Sequence, residues 1–301
     1  MSVVDDAQAF RAEAARAASA LPRALPELPT GTYEVHDAGP DAPVRELMVY
    51  RPAVGPAVPG MFVNLHGGGF VLGDGRDDDP YCRLVADSAG CAVVNIDYVL
   101  APEHPYPQAV HQVHDLLVWL HEHADELGLD GTRLAVGGHS AGGNLAVASA
   151  LVARRTRRPP LRGLVVDYAP LDLSTPASAK LTDELRAQPG AVDLAAAGAM
   201  FDSWYLPDPR DAFDELASPL LAPDLSGLPP TVVLTAQHDL LRAEGDAFAA
   251  RLAAAGVPTE HEVFEGCDHA FTHVGPHEQA LAAWRRMAAF LRRVLAQEEG
   301  A

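Results

Sequence analysis

The chain has few cysteines and few basic residues for its length. Its 301 residues include three cysteines, which cannot all pair with one another. Structural disulfides belong to oxidising compartments, so we expect reduced thiols and a cytoplasmic protein. Lysine and arginine number 22 against 41 acidic residues, which gives a formal net charge of -19. Such a charge repels phosphate backbones and anionic lipid surfaces, so no nucleic-acid partner is expected.

Long apolar runs and flexible linkers are also absent from the sequence. No run approaches the roughly 20 apolar residues that cross a bilayer, so no membrane span is predicted. Residues 1–10 carry Asp5 and Asp6 where a signal peptide needs basic and apolar regions. No internal repeat or Ser/Gly-rich linker divides the chain. Because 48% of the residues are hydrophobic, residues 1–301 are predicted to form a single domain.

A serine between two glycines is the most informative feature that is present. The segment Gly138-His139-Ser140-Ala141-Gly142 follows the apolar run 134–136 and precedes a helix-compatible stretch over 144–155. A strand, a sharp turn and a helix form the context of a nucleophile elbow, in which strained backbone angles expose the serine. Glycines at both ends of the motif permit the close approach of the chain. The pattern predicts that Ser140 attacks acyl carbons, whereas an ordinary glycine-rich loop is the structural alternative.

A second glycine-rich segment, His66-Gly67-Gly68-Gly69-Phe70, directly follows the apolar run 61–65. A loop with almost no side chains can aim several backbone N–H groups at one point, which in acyl transfer is the oxyanion. The amide of Ala141, next to the serine, is the expected partner donor. A phosphate-binding loop would need a helix N-terminus after the glycines, and the acidic segment 74–79 that follows would repel phosphate.

The remaining catalytic groups should come later in the chain if their order is serine, acid, histidine. Asp239 lies just beyond the buried strand predicted over 231–236, at the edge where α/β sheets collect catalytic groups. His269 lies on the loop after the last strand, 260–264, where an imidazole can bridge a serine and an acid. The competing histidines are His261, His273 and His277. The first lies inside a strand pattern, and the other two are interpreted as surface residues near the C-terminal helix.

Strand-like and helical segments alternate along most of the chain. Strands are predicted over residues 45–50, 61–65, 92–97, 133–136, 163–168, 231–236 and 260–264. Helices are predicted over residues 5–20, 79–89, 108–122, 144–155, 242–255 and 276–297. The alternation indicates a mostly parallel sheet with helices on both faces, which is the α/β class. Residues 172–217 depart from it, and a long insertion in an α/β domain is usually functional.

The chain resembles the hormone-sensitive-lipase-like group (family IV) of bacterial esterases, which have the α/β-hydrolase fold. The matching segments are His66 to Phe70 (H-G-G-G-F), Asp97 to Pro105 (similar to D-Y-R-L-A-P-E-H-P), Gly138 to Ala146 (similar to G-D-S-A-G-G-N-L-A) and Ser218 to Gly245, around the acid. They occur in the family's order, and agreement at several separated places is specific.

The resemblance implies a serine esterase that needs no cofactor and acts on short to medium acyl esters. The site residues it implies are Ser140 as nucleophile, Asp239 as orienting carboxylate and His269 as base, with the amides of Gly68, Gly69 and Ala141 as oxyanion donors. It also implies a helical cap contributed by about residues 1–40 and 172–217.

Two positions depart from the family pattern. His139 stands where an acidic residue usually precedes the nucleophile, and Val99 replaces the arginine of the D-Y-R-L segment. If the acidic residue and the arginine form a charge contact in the family, both members of that pair are replaced here. The departures leave the three catalytic candidates in place but open the question of what surrounds them.

Histidines are also concentrated between residues 104 and 123, where five occur, His111 and His114 on one helical face. A metal site needs at least a third convergent ligand, and no carboxylate or thiol at ligand spacing completes this set. These histidines are therefore interpreted as solvated, and no metal site is predicted.

The residues predict a carboxylesterase that works through an acyl-enzyme intermediate, with a small-molecule acyl ester as its partner. An amide or formamide hydrolase would use the same residues, and a lyase on this fold is a further alternative. A non-catalytic ligand receptor on the same fold is expected to lack one of the three catalytic candidates. The oligomeric state, a homodimer included, is not decided by the sequence.

Overall fold

The computed structural model describes residues 3–18 and 32–297, and within them a twisted sheet of eight strands forms the centre. The strands are β1 (Thr32–Asp37), β2 (Glu46–Arg51), β3 (Met61–Leu65), β4 (Ala92–Ile96), β5 (Leu134–His139), β6 (Gly163–Asp167), β7 (Thr231–Ala236) and β8 (Thr259–Phe264). Their order across the sheet is β1-β2-β4-β3-β5-β6-β7-β8. Strand β2 is antiparallel to both of its neighbours, and the other neighbouring strands are parallel.

Helices cover both faces of this sheet, as the alternating pattern predicted. The helices are α1 (Val3–Ala18), α2 (Asp79–Ala89), α3 (Gln108–His123), α4 (Ala141–Thr156), α5 (Asp183–Arg186), α6 (Ala191–Tyr205), α7 (Arg242–Ala254), α8 (Phe271–Val274) and α9 (His277–Val294). Helices α3, α4 and α7 contribute to one core cluster, whereas α2 and α9 contribute to the other. This arrangement confirms the α/β-hydrolase fold class that the sequence predicted.

Strand β3 shows why the sheet is buried on both sides. Its side chains alternate between the two clusters: Met61, Val63 and Leu65 pack on the α3 and α4 side, and Phe62 packs on the α2 and α9 side. Alternation with period two is the geometry of any strand, and a strand covered on both faces needs apolar residues at both sets of positions. Burial of each such side chain contributes about 1.5–3 kcal/mol.

The differences from the predicted elements have local causes. Strand β1 was not predicted, because it forms the sheet edge and its residues are exposed on both faces. Helix α4 begins at Ala141 rather than 144, and β5 extends to His139 rather than 136. The turn between them is therefore shorter than predicted, because the glycines of the motif belong to the strand and the helix. The predicted helix 5–20 corresponds to α1, and positions 19 and 20 lie outside the described residues.

Helices α1 and α6 lie together beside the carboxyl ends of the parallel strands. The ring of Phe10 meets the rings of Phe201 and Trp204 edge-on, at centroid distances of 5.8 and 5.9 Å. Arg11 holds α1 in place through a bidentate ion pair with Glu103, in which both N···O distances are 2.7 Å. Residues 1–2 and 19–31 of the predicted cap lie outside the described residues. Residues 32–37 form β1 at the edge of the sheet, so their assignment to the cap is wrong.

None of the helices built from residues 3–18 and 32–297 combines the length and the apolar character needed to cross a bilayer.

Candidate active site

Ser140 occupies the sharp turn between β5 and α4. Its backbone angles are φ 51° and ψ −123°, a region that costs a non-glycine residue about 1–3 kcal/mol. The turn is held by the amide of Ser140, which donates to the carbonyl oxygen of Asp167 at 2.9 Å. A Cβ atom at Gly142 would lie 2.0 Å from the carbonyl oxygen of Leu65, so only glycine permits α4 to start this close to β3. The strand, turn and helix predicted from the motif are therefore present.

The side chains of Ser140, His269 and Asp239 form a continuous chain of hydrogen bonds. Ser140 Oγ lies 3.1 Å from His269 Nε2, and His269 Nδ1 lies 2.8 Å from Asp239 Oδ2. The amide of Leu241 donates to the other carboxylate oxygen of Asp239 at 3.0 Å. A carboxylate only accepts, so Nδ1 of the neutral imidazole carries the proton and Nε2 is left to accept the hydroxyl hydrogen of Ser140.

Opposing effects act on the protonation of His269. Burial lowers the pKa of this imidazole, but the charge of Asp239 and its hydrogen bond raise it more, so the pKa lies above its usual value of 6.5. A buried carboxylate that stabilises the imidazolium makes the neutral imidazole a stronger proton acceptor. The sequence placed these three residues after β5, β7 and β8, and the structure brings them together at one edge of the sheet.

Three backbone amides near Ser140 have no acceptor among the described residues. In the part of the chain that the structure describes, the N–H groups of Gly68, Gly69 and Ala141 donate to no acceptor. Gly68 and Gly69 line one cavity together with Ser140, and Ala141 is the first residue of α4. A Cβ at Gly69 would lie 2.1 Å from the ring of Phe201, and its φ is 60°. Glycine is therefore required where the loop passes beneath α6.

His139, the residue that departs from the family pattern, connects the serine turn to the glycine loop. Its Nε2 accepts a hydrogen bond from the amide of Gly67 at 2.8 Å, which requires a neutral imidazole with the proton on Nδ1. Burial lowers the pKa of His139 to about 3, against the opposing charge of Asp78. The imidazole therefore remains an acceptor for the loop at any pH near neutrality.

A second aspartate–histidine pair lies behind His139. His273 Nε2 is 3.0 Å from Asp78 Oδ1, and His273 Nδ1 is 3.0 Å from the hydroxyl of Tyr168. Asn64 donates to the other oxygen of Asp78 at 2.8 Å. Burial raises the pKa of Asp78, but its interactions with His139 and His273 outweigh burial and hold the pKa below its usual value. The interpretation of His273 as a surface residue is wrong, because α8 turns its side chain toward the sheet.

Val99, the other departure, lies in a different environment. Its amide donates to Gln112 Oε1 at 2.8 Å, whereas the ring of His139 contacts that of His273, with centroids 4.0 Å apart. The sequence offered no signal for the second pair, because Asp78 and His273 are 195 positions apart and neither belongs to a motif.

Asp78, His139 and His273 could also serve as metal ligands. Each offers a donor atom, and these atoms lie within 4.8 Å of one another. Two imidazoles and a carboxylate suit Zn²⁺. Nε2 of His139 already accepts from Gly67, however, so an ion held through that nitrogen would displace the loop's hydrogen bond. The absence of a metal site stays a prediction.

The cavity above Ser140 has a volume of about 330 Å³ and is mostly apolar. Its apolar walls include Phe70, Leu173, Leu194, Phe201, Leu240 and Leu241. Two charged side chains, Lys180 and Asp202, also line it. Lys180 Nζ donates to Glu244 Oε2 at 2.9 Å and to the carbonyl oxygen of Asp172 at 2.7 Å, so this cation already has its partners.

Known proteins of similar sequence include esterases. A family model described as an alpha/beta hydrolase fold matches residues 62–273. Carboxylesterase NlhH of Mycobacterium tuberculosis is 40% identical over 246 residues, which cover 79% of this chain and 74% of that protein. An arylesterase of Saccharolobus solfataricus is 37% identical over 213 residues, which cover 70% of this chain and 68% of that protein.

A solved structure extends the similarity to nearly the whole chain. The thermostable esterase from Pseudomonas putida ECU1011 superposes with a TM-score of 0.83 and 31% identity, over 99% of this chain and 92% of that one. The chain therefore belongs to the hormone-sensitive-lipase-like group of the α/β-hydrolase family, as its motifs predicted.

Proposed function

We propose that the protein is a serine carboxylesterase in which Ser140 is the nucleophile, His269 the base and Asp239 the orienting carboxylate. The observation that supports it best is the hydrogen-bonded series from Ser140 through His269 to Asp239, at 3.1 and 2.8 Å. The names of the relatives, carboxylesterase and arylesterase, point to the same chemistry.

Acylation is the first step of the proposed reaction. His269 Nε2 takes the proton of Ser140 Oγ as that oxygen forms a bond to the ester carbonyl carbon. The carbonyl electrons move to its oxygen, and the oxyanion accepts hydrogen bonds from the amides of Gly68, Gly69 and Ala141. When the intermediate collapses, the bond to the alcohol oxygen breaks and the imidazolium returns the proton to that oxygen. The products are a free alcohol and an acyl group on Ser140.

Deacylation repeats these transfers with water. His269 Nε2 takes a proton from the water, whose oxygen attacks the acyl carbon, and the same amides stabilise the second oxyanion. The bond to Ser140 Oγ then breaks, and the proton on His269 returns to it. Each oxyanion donor is expected to contribute about 3–4 kcal/mol to transition-state stabilisation, because the amides are already oriented before charge develops.

The substrates proposed are esters with short to medium acyl chains. The cavity of about 330 Å³ is at the small end of ligand sites, which span about 300–1,000 Å³. Its apolar walls suit a hydrocarbon chain. A relative in Pseudomonas putida, 36% identical over 241 residues, is named ethyl acetate hydrolase, which supports a small acyl group.

Substitution Ser140→Ala tests the proposed function. We expect turnover of p-nitrophenyl butanoate to fall by about 10⁴-fold or more, with an unchanged melting temperature. A fluorophosphonate should add one label to the wild type, measured by intact mass, and none to the variant. Ser226→Ala, at an exposed serine, is the matched control and should keep both properties. A Ser140→Ala variant that retains activity or label would remove Ser140 from its proposed role.

We also propose that α1 and residues 172–217 act as a cap over the cavity within one α/β-hydrolase domain. Residues of α6 line the cavity, and Arg11 holds α1 through Glu103 and the carbonyl oxygens of Val71 and Ala101. Arg11→Met should therefore change KM for bulky esters more than for acetate esters. Equal changes for both would argue against the cap.

We propose a cytoplasmic location from the state of the thiols. Cys82, Cys91 and Cys267 are all buried and unpaired, and burial raises the pKa of Cys91 to about 12, so that thiol is inert. Activity recovered in the cytoplasmic fraction of the native host would support this location, and recovery in the culture medium would contradict it.

A further inference from the structure

Asp202 is the one acidic side chain in the cavity wall that the proposed reaction does not use, among the residues that the structure describes. It lies on α6, where Leu194, Gly198 and Phe201 also face the cavity. Positions 194, 198 and 202 are four residues apart and share one side of the helix. The inner face of α6 is therefore apolar except for a single carboxylate.

This carboxylate has no bonding partner within residues 3–18 and 32–297. No hydrogen bond or ion pair is made by its oxygens, although the side chain is partly buried. The nearby cation Lys180 is instead bound to Glu244 and to the carbonyl oxygen of Asp172. An acidic group that is removed from water without a donor is destabilising, and such groups occur in sites that bind ligands.

The protonation of Asp202 follows from the same surroundings. Burial raises the pKa of Asp202 to about 6, and the charge of Lys180 opposes this shift. At pH 7.5 the side chain is therefore mostly a carboxylate. With Lys180 neutralised by Glu244, the cavity carries an uncompensated negative charge on one wall.

We propose that Asp202 binds a protonated amine on the ester substrate, so that the protein prefers esters of amino alcohols or of amino acids with a terminal amine. This inference rests on the proposed function and adds a substrate class to it. The ammonium N–H would donate to the carboxylate, while the hydrocarbon part of the substrate packs on the apolar walls. Asp202 also borders a second cavity, of about 380 Å³, which leaves space for substituents on the nitrogen.

Two pairs of isosteric esters test the proposal on the alcohol side and the acyl side. The first pair is 2-(dimethylamino)ethyl butanoate and 3-methylbutyl butanoate, and the second is ethyl 4-(dimethylamino)butanoate and ethyl 5-methylhexanoate. Each pair differs only by a protonated nitrogen in place of a CH group. We expect the wild type to favour the amine in at least one pair by about 10- to 100-fold in kcat/KM at pH 7.5.

Variants of α6 test whether the carboxylate itself, rather than the shape of the cavity, causes the preference. Asp202→Asn should abolish the preference and retain turnover of the neutral ester, and Asp202→Leu should favour the neutral ester. Asp193→Asn is the matched control, because it removes the same charge from an exposed position of the same helix. Melting temperatures of all variants establish that they are folded.

The pH dependence of the preference gives an independent readout. The ratio of kcat/KM values within a pair should approach one as the pH falls below about 6, because Asp202 becomes neutral while the amine stays charged. The other titratable groups in the wall are Lys180, Tyr168, His139, His269 and His273. Their effect on the shared chemistry cancels in the ratio, since both esters react at the same centre. Glu244, which binds Lys180, also titrates in this range because burial raises its pKa to about 7. The same pH series with Asp202→Asn is therefore subtracted to isolate the contribution of Asp202.

Equal kcat/KM values in both pairs for the wild type, or a preference that survives in Asp202→Asn, would overturn this inference. Hydrolysis of the neutral esters through Ser140 would in that case leave the proposed function in place. Failure of the proposed function has a different signature, namely a wild type that hydrolyses no ester of either pair and takes no fluorophosphonate label.

Discussion

Two aspartate–histidine pairs lie close to Ser140, and they have nearly the same geometry. The distance between His269 Nδ1 and Asp239 Oδ2 is 2.8 Å, and that between His273 Nε2 and Asp78 Oδ1 is 3.0 Å. Both carboxylates are almost fully buried. The pairs differ in what the imidazole does with its second nitrogen.

The second nitrogen decides the chemistry available to each pair. In His269 it lies 3.1 Å from Ser140 Oγ, where it can take a proton. In His273 it lies 3.0 Å from the hydroxyl of Tyr168 and 2.9 Å from that of Thr272, in a closed network with Asp78. A buried aspartate beside a histidine therefore does not by itself make that histidine a catalytic base. We expect the first pair to move protons and the second to support His139, which binds the glycine loop.

The largest expected effect comes from breaking the first pair. Asp239→Asn should lower kcat for neutral esters by about 10⁴-fold, because the imidazole loses its orienting acceptor and favours the wrong tautomer. The measurement is steady-state hydrolysis with p-nitrophenyl butanoate. The corresponding variant of the second pair, Asp78→Asn, should cost far less. Equal losses in the two variants would contradict the division of roles.

A smaller effect is expected where His139 meets the loop. His139→Phe keeps an aromatic ring but removes the acceptor for the amide of Gly67, which leaves a donor unpaired at a cost of about 1–3 kcal/mol. If that strain reaches Gly68 and Gly69, kcat falls by about 10- to 100-fold while KM is unchanged. His277→Phe, at an exposed position, is the control. A rise in KM with constant kcat would show that His139 shapes substrate binding instead.

The acid limb of the pH profile is expected to depend on the first pair. Because the pKa of His269 lies above 6.5, kcat/KM for a neutral ester should rise as the pH increases through a midpoint above that value. Deprotonation creates the base, so activity is lost on the acid side. Residual activity of Asp239→Asn should show a lower midpoint, since the raising charge is gone. An unchanged midpoint would mean that another group controls the acid limb.

The smallest expected effect is that of a chelator. Incubation with EDTA followed by desalting should leave kcat and the melting temperature unchanged, because no step of the proposed reaction uses a metal ion. Loss of activity that Zn²⁺ restores would instead identify Asp78, His139 and His273 as ligands, and would contradict their role in holding the loop.

The same comparison shows what could be predicted from the sequence. Ser140, Asp239 and His269 each come after a strand, and parallel strands bring their carboxyl ends to one edge, so a linear pattern was enough to predict that they lie close together. Asp78 and His273 come from a short turn and a short helix whose meeting depends on packing. Local patterns carry no information about such contacts.

Whether a strand could be predicted also depended on a local apolar pattern. Buried strands such as β3 are predictable because both faces must be apolar, whereas β1 is exposed at the edge and carries no apolar pattern. The position of Asp202 could not be predicted either, since its significance depends on Lys180 being bound elsewhere. The sequence therefore predicted the centre of the sheet and the motif residues, but not the contacts between distant loops.

The contact between Phe201 and Gly69 has a consequence for engineering. Shortening the Phe201 ring is a direct way to enlarge the cavity that it lines. Here that ring lies against the very loop whose amides are proposed to receive the negative charge, with no space for even a methyl group between them. A substitution that shortens Phe201 to admit larger esters should therefore also change the turnover rate of the smallest esters. Substrate range and turnover rate are coupled through this contact.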